Sequence, residues 1–89
     1  MPPKPLTSAQ IRAARALIRW SALQLANATA VGVTTIRRAE LTASQTKLTR
    51  VNDQAIRRVL EAAGVEFIDE NGGGPGVRLK KHDAVEGRL

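Results

Sequence analysis

No cysteine occurs in the 89 residues, so neither a disulfide framework nor a cysteine-ligated zinc holds the chain together. A reducing, cytoplasmic setting fits that composition. Long apolar runs are missing as well. None approaches the roughly 20 residues that a membrane-spanning helix needs. The opening stretch, MPPKPLTSAQ, has no apolar segment, so a secretory leader is not expected. Histidine is nearly absent. The one copy, His82, falls in the expected C-terminal tail and reads as exposed rather than as a base or a ligand. No paired carboxylates stand on an expected helix. The glycines at 72, 73, 74 and 76 lack the G-x-x-x-x-G-K pattern and the following helix of a phosphate-binding loop. Catalysis, a cofactor, a metal and a small-molecule substrate are therefore not expected.

Acidic residues are scarce in the first half. Residues 1–50 carry a net charge of +7 with Glu40 as their only acid, whereas residues 51–89 sum to −1. A one-sided cationic field favours nucleic acid or an acidic protein partner.

What is present reads as a small, mainly helical domain. Residues 1–7 are proline-rich and expected to be disordered. Thr7 and Gln10 form the T-x-x-Q capping pattern, which starts a helix near Ser8. Ile11, Ala14, Leu17 and Ile18 repeat at helical spacing and supply its buried stripe, and the helix ends near Trp20. Trp20 either packs on the core or stands out as an aromatic anchor. Ser21 and Gln24 repeat the capping pattern and start a second helix at about Ala22. Residues 29–32 form a turn, with Val31 as a plug into the core. A third helix is expected over 33–41, with Gly32 as N-cap, Ile36 and Ala39 inward, and Arg37 and Arg38 outward. Thr35 is read as structural.

A polar loop, 42–49, leads to a fourth helix from about Arg50 to Ala63. Val51, Ala55, Val59 and Ala63 stack at i, i+4 intervals there, with Ile56 and Leu60 alongside, and Gly64 is the expected stop. The period then changes. Residues 65–68 and 77–80 read as two strands around the turn formers DENGGGPG, a β-hairpin over 65–80. Residues 81–89 are an expected disordered tail.

The segments RAARALIRWS at 12–21 and LANATAVGVTTIRRAE at 25–40 resemble the helix-turn-helix regulators of the Cro and lambda-repressor (XRE) type. The resemblance covers about residues 8–64. Residues 54–80 are similar to the C-terminal part of a group of small proteins of this type in rhizobia and related bacteria. The resemblance implies a four-helix Cro/lambda-repressor-like domain, residues 8–64, followed by the hairpin. It implies that the helix 33–41 lies in the major groove of double-stranded DNA, with its first turn at the base edges. Carried over, the contacting positions are Gly32, Val33, Thr34, Arg37 and Arg38, with Ala22 where the preceding helix starts. Arg12 and Lys47 are further basic contacts.

The family often has glutamine where Ala22 stands, and Gly32 and Val33 offer no bidentate hydrogen bond to a base. A second function is therefore carried beside the first. The same surface would receive an apolar, acidic segment of a transcriptional activator, as small antiactivators do with quorum-sensing activators of mobile elements. Phe67, Ile68, Val77 and Leu79 offer a dimer or partner surface on the hairpin.

Overall fold

A computed structural model describes residues 4–43 and 45–81. Four helices precede a two-stranded antiparallel hairpin: α1, Ser8–Ile18; α2, Ala22–Thr29; α3, Val33–Leu41; α4, Arg50–Ala62; β1, Val65–Ile68; and β2, Gly76–Leu79. None of these helices is long and apolar enough to cross a membrane.

Local chemistry explains most of the boundaries. Thr7 and Gln10 form a complete capping box, and so do Ser21 and Gln24. Each pair satisfies two backbone donors that a helix start leaves open. α1 ends earlier than Trp20 because Arg19 takes a left-handed conformation, φ 59°, and closes the helix on the Ala16 and Arg15 carbonyls. Ala30 closes α2 in the same way at φ 62°. Gly64, at φ 107°, turns the chain out of α4 into β1. The hairpin register pairs Val65 with Leu79 and Phe67 with Val77, so these apolar residues share one face of the ribbon. β2 is placed one residue earlier than the sequence pattern suggested.

The core is continuous. Ile11 and Ala14 from α1, Leu25 and Ala26 from α2, and Ile36 and Ala39 from α3 meet Ile56 and Leu60 from α4 and Val65 from β1. Val31 plugs into it from the α2–α3 turn, as its position in the turn suggested.

Three expectations are corrected. The proline-rich start is not disordered over residues 4–7. Leu6 is completely buried, its N–H donates to the Asp53 carboxylate at 3.0 Å, and Thr7 bridges to Gln45. The anchoring acid lies 47 residues away, so no local pattern announces it. Leu17 leaves the stripe of α1 and is partly exposed, whereas Ile18, the last residue of the helix, packs against the core. In α4 the inward stripe runs through Asp53, Ile56 and Leu60, whereas Val51 is 74% exposed. The expected disorder of residues 1–3 and 82–89 lies outside the described residues; Lys81 is exposed and in no regular element.

Gln10 does more than cap. Its side-chain amide donates to the carbonyls of Ile68 (3.1 Å) and Gly76 (3.0 Å), tying the hairpin to α1. Arg57 of α4 donates to the Lys4 carbonyl at 2.7 Å and lies 5.3 Å from the Phe67 ring centroid. The N-terminal strap and the hairpin are thus held by side chains from the two longest helices.

Candidate functional site

The turn between α2 and α3 is built to fix an angle. The Thr29 hydroxyl donates to the Leu25 carbonyl at 3.0 Å and accepts from the Val31 N–H at the same distance. Ala30 reverses the chain, Val31 sinks into the core, and Gly32 starts α3 in extended backbone, φ −60° and ψ 143°. A threonine, a left-handed residue and an apolar plug therefore set how α3 leaves α2.

The inner side of α3 is closed by charge as well as by packing. Glu40 accepts two hydrogen bonds from the Arg15 guanidinium, from Nε and Nη2, both at 2.7 Å. The Glu40 side chain is 8% exposed and that of Arg15 is 22% exposed. A bidentate pair of this kind fixes orientation as well as adding energy. The hydrogen bonds to Glu40 raise the Arg15 pKa above the usual arginine value. Arg15 also donates to the Trp20 carbonyl at 2.8 Å, which ties together the end of α1, the start of α2 and the last turn of α3. Arg12 donates to the Glu40 carbonyl. Ser8 hydrogen-bonds both the Ala39 carbonyl and the Thr42 hydroxyl.

The outer side of α3 is different. Thr34, Arg37 and Arg38 are exposed. Leu41 at its C-terminal end is 83% exposed. Among the described residues, the ion pairs are Arg15–Glu40, Arg57–Glu61 and Arg78–Glu66, and neither arginine on the outer face of α3 takes part. The single acid of α3 points inward, so its outer face is cationic.

Two surface depressions flank that face. Between α3 and the start of α4, Arg38 and Lys47 line a cleft with the threonines at 35, 42, 46 and 49 and with Asn52. Lys47 is exposed and left-handed, φ 61°. Thr49 caps α4 by accepting from the Asn52 N–H at 3.1 Å. On the other flank, Leu23, Ala26, Asn27, Val31, Gly32 and Val33 line a shallow depression. Leu23 is 53% exposed there, and Asn27 supplies its only polar side chain.

Of the residues singled out from the sequence, Gly32, Val33, Thr34, Arg37 and Arg38 are brought together along α3 and its cap. Ala22 stands at the start of α2, half-buried against the core. Lys47 joins Arg38 across the α3–α4 cleft. Arg12 does not join the group, because its guanidinium is engaged with the Glu40 carbonyl at the far end of α3. Trp20 packs partly buried against the core.

On the hairpin, Phe67 and Val77 pack on the core, Ile68 is half-buried beside Gly76, and Leu79 is 53% exposed. Glu66 and Arg78 pair across the strands on the opposite face at 2.9 Å, and that contact lowers the Glu66 pKa. Sequence reasoning passed over Asn27, Thr49 and Asn52. The T-x-x-N spacing before an apolar-periodic run was the available signal for the last two. Comparison with protein-family models and with curated proteins finds no match.

Proposed function

We propose that the chain is a small helix-turn-helix transcriptional regulator that binds double-stranded DNA through α3. The observation that carries this reading is the division of α3. Glu40 is turned inward to Arg15, and Thr34, Arg37 and Arg38 face outward without an acidic partner among the described residues. An α-helix fits the major groove, which is about 12 Å wide. In helix-turn-helix docking the first turn of such a helix meets base edges.

The chemistry on offer assigns roles. Arg37 is suited to a guanine edge. Arg38 and Lys47, with the capped start of α4 beside them, are suited to phosphates, which supply affinity and register but no sequence information. Val33 and Thr34 present methyl groups, and Gly32 presents only backbone, so the first turn favours the thymine methyl over a bidentate amide contact with adenine. Two copies paired through the hairpin edge, where Leu79 is exposed, would bring two α3 helices to one duplex. No catalysis, cofactor or small-molecule substrate enters this reading.

The test is a titration against the DNA upstream of the chain's own and neighbouring genes, with random DNA as competitor, at two salt concentrations. Binding that resists competitor and weakens steeply with salt supports the reading. Equal, weak affinity for all DNA overturns it. Replacing thymine by uracil in a bound fragment removes only the methyl groups, so a loss of affinity would assign the first turn to them.

A second reading rests on a different observation. Apart from Asn27, the side chains that line the depression beside Gly32 are apolar, and Leu23 within it and Leu41 at the end of α3 are exposed. That surface suits an apolar, acidic segment of a transcriptional activator, which the chain would hold inactive as an antiactivator. A stable complex with such an activator, lost on Leu23→Glu and formed without DNA, would favour it.

A further inference from the structure

We infer that Asn71 is a site of spontaneous deamidation, driven by its neighbour Gly72. The chain holds three asparagines, and their surroundings separate them. Asn27 lies within α2 and is followed by Ala28 of the same helix. Asn52 lies within α4, and the N–H of the next residue, Asp53, donates to the Thr49 carbonyl at 2.8 Å. A backbone nitrogen held in a helical hydrogen bond is not free to attack the side chain before it. Asn71 sits in the turn between β1 and β2, outside both strands. Both Asn71 and Gly72 are exposed, and no hydrogen bond among the described residues holds the Gly72 N–H. Gly72 has φ +100°, and the space where a Cβ would stand is open. Glycine also gives the backbone the freedom to bring its nitrogen onto the side-chain carbonyl carbon.

The step balances with water as the only added reactant. The Gly72 nitrogen yields its proton to a solvent base and attacks Cγ of Asn71. The N–Cγ bond forms, the Cγ–Nδ2 bond breaks, and ammonia leaves with a proton taken from solvent. Water then opens the cyclic imide at one of its two carbonyls and leaves aspartate or isoaspartate. Nothing is oxidised or reduced. The product adds a carboxylate beside Asp69 and Glu70, and the isoaspartate form also lengthens the backbone of the turn. The Val65–Ile68 and Gly76–Leu79 pairing lies outside the altered link, so the hairpin ladder is retained.

The test is incubation of the full chain in neutral and mildly alkaline buffer. Peptide mass mapping follows, with enzymatic methyl labelling of isoaspartate as a second readout. The expected result is loss of the Asn71 amide while Asn27 and Asn52 keep theirs, faster at the higher pH because the attacking nitrogen must lose its proton. Gly72→Ala should slow the loss, and Asn71→Gln should abolish the isoaspartate label. An Asn71 amide that persists, or one lost no faster than those at 27 and 52, would overturn the inference. So would a rate unchanged by Gly72→Ala.

Discussion

Arginines stand on both sides of α3, those of α1 against its inner side and its own on the outer, and the two sets are held in opposite ways. On the inner side, Arg15 gives Glu40 two hydrogen bonds and the Trp20 carbonyl a third, and Arg12 holds the Glu40 backbone. On the outer side, Arg37 and Arg38 stand exposed with no acidic partner among the described residues. A guanidinium that is already partnered and partly desolvated contributes to the fold. A guanidinium left in water gives the fold little, and it can release counterions when a polyanion replaces the solvent. Charge alone therefore does not separate the arginines that hold the fold from those that face water; the pairing of each charge does.

The largest effect should come from breaking the inner side. Glu40→Ala leaves Arg15 without its carboxylate. Because Arg15 keeps some contact with water, the expected loss is about 2 kcal/mol, below the range for a fully buried pair. Urea unfolding measures it, and Glu40→Gln should recover part of it by restoring an acceptor. Arg37→Ala should do the reverse. Its stability change should stay within about 0.5 kcal/mol, as for an exposed surface position. Its affinity for a bound duplex should fall by about tenfold, in line with the loss of a good base contact. If Arg37→Ala destabilises as much as Glu40→Ala, the division between the two sides is lost.

The turn that leads from α2 into α3 offers a gain. Ala30 is left-handed at φ 62°, where glycine is free of the Cβ penalty. Ala30→Gly should therefore stabilise by about 1 kcal/mol, read as a raised Tm.

A smaller effect is expected at the cap of α3. Thr7, Ser21 and Thr49 cap their helices with side chains, and Gly32 does not. A Cβ at Gly32 would meet only the Thr35 hydroxyl, at 3.9 Å, so the fold tolerates a side chain there. Gly32→Ser should stabilise by only a few tenths of a kcal/mol, about the margin of serine over glycine at a cap. It should also weaken DNA binding by covering the backbone N–H groups at the start of α3.

The smallest effect concerns Asp53, away from the α3 face. Burial raises its pKa, against the Leu6 N–H and Arg57, which lower it. A carboxyl with a raised folded pKa holds its proton more tightly when folded. Its contribution to stability is therefore greatest below the unfolded value and declines as pH rises through the folded one. Asp53→Asn keeps an acceptor for Leu6 and should remove that decline from a stability–pH profile.

The division of α3 was only half legible in the sequence. Ile36 and Ala39 inward, Arg37 and Arg38 outward, and Val31 as a plug follow from helical period and turn position, which are local. The caps at Thr7 and Ser21 follow from spacing alone. The partner of Glu40 did not, because Arg15 lies 25 residues earlier and only tertiary packing brings it near. Leu6 escaped for the same reason, since its burial depends on α4. In α4, apolar residues line two adjacent stripes, 51/55/59 and 56/60, and periodicity cannot choose between them. The packing of α4 on β1 and α2 makes the choice and leaves Val51 in water. The shape of the candidate site was thus readable from the chain, while the pairing that separates its structural arginines from its exposed ones required the fold.

The most direct measurement is an amide spectrum of the isotope-labelled protein titrated with a short duplex from the upstream DNA. Shifts concentrated at Gly32, Val33, Thr34, Arg37 and Arg38, with the start of α4 beside them, are the expected result. Shifts confined to other surfaces, or none at concentrations where the duplex binds other basic proteins, would contradict a DNA-reading role for the outer face of α3.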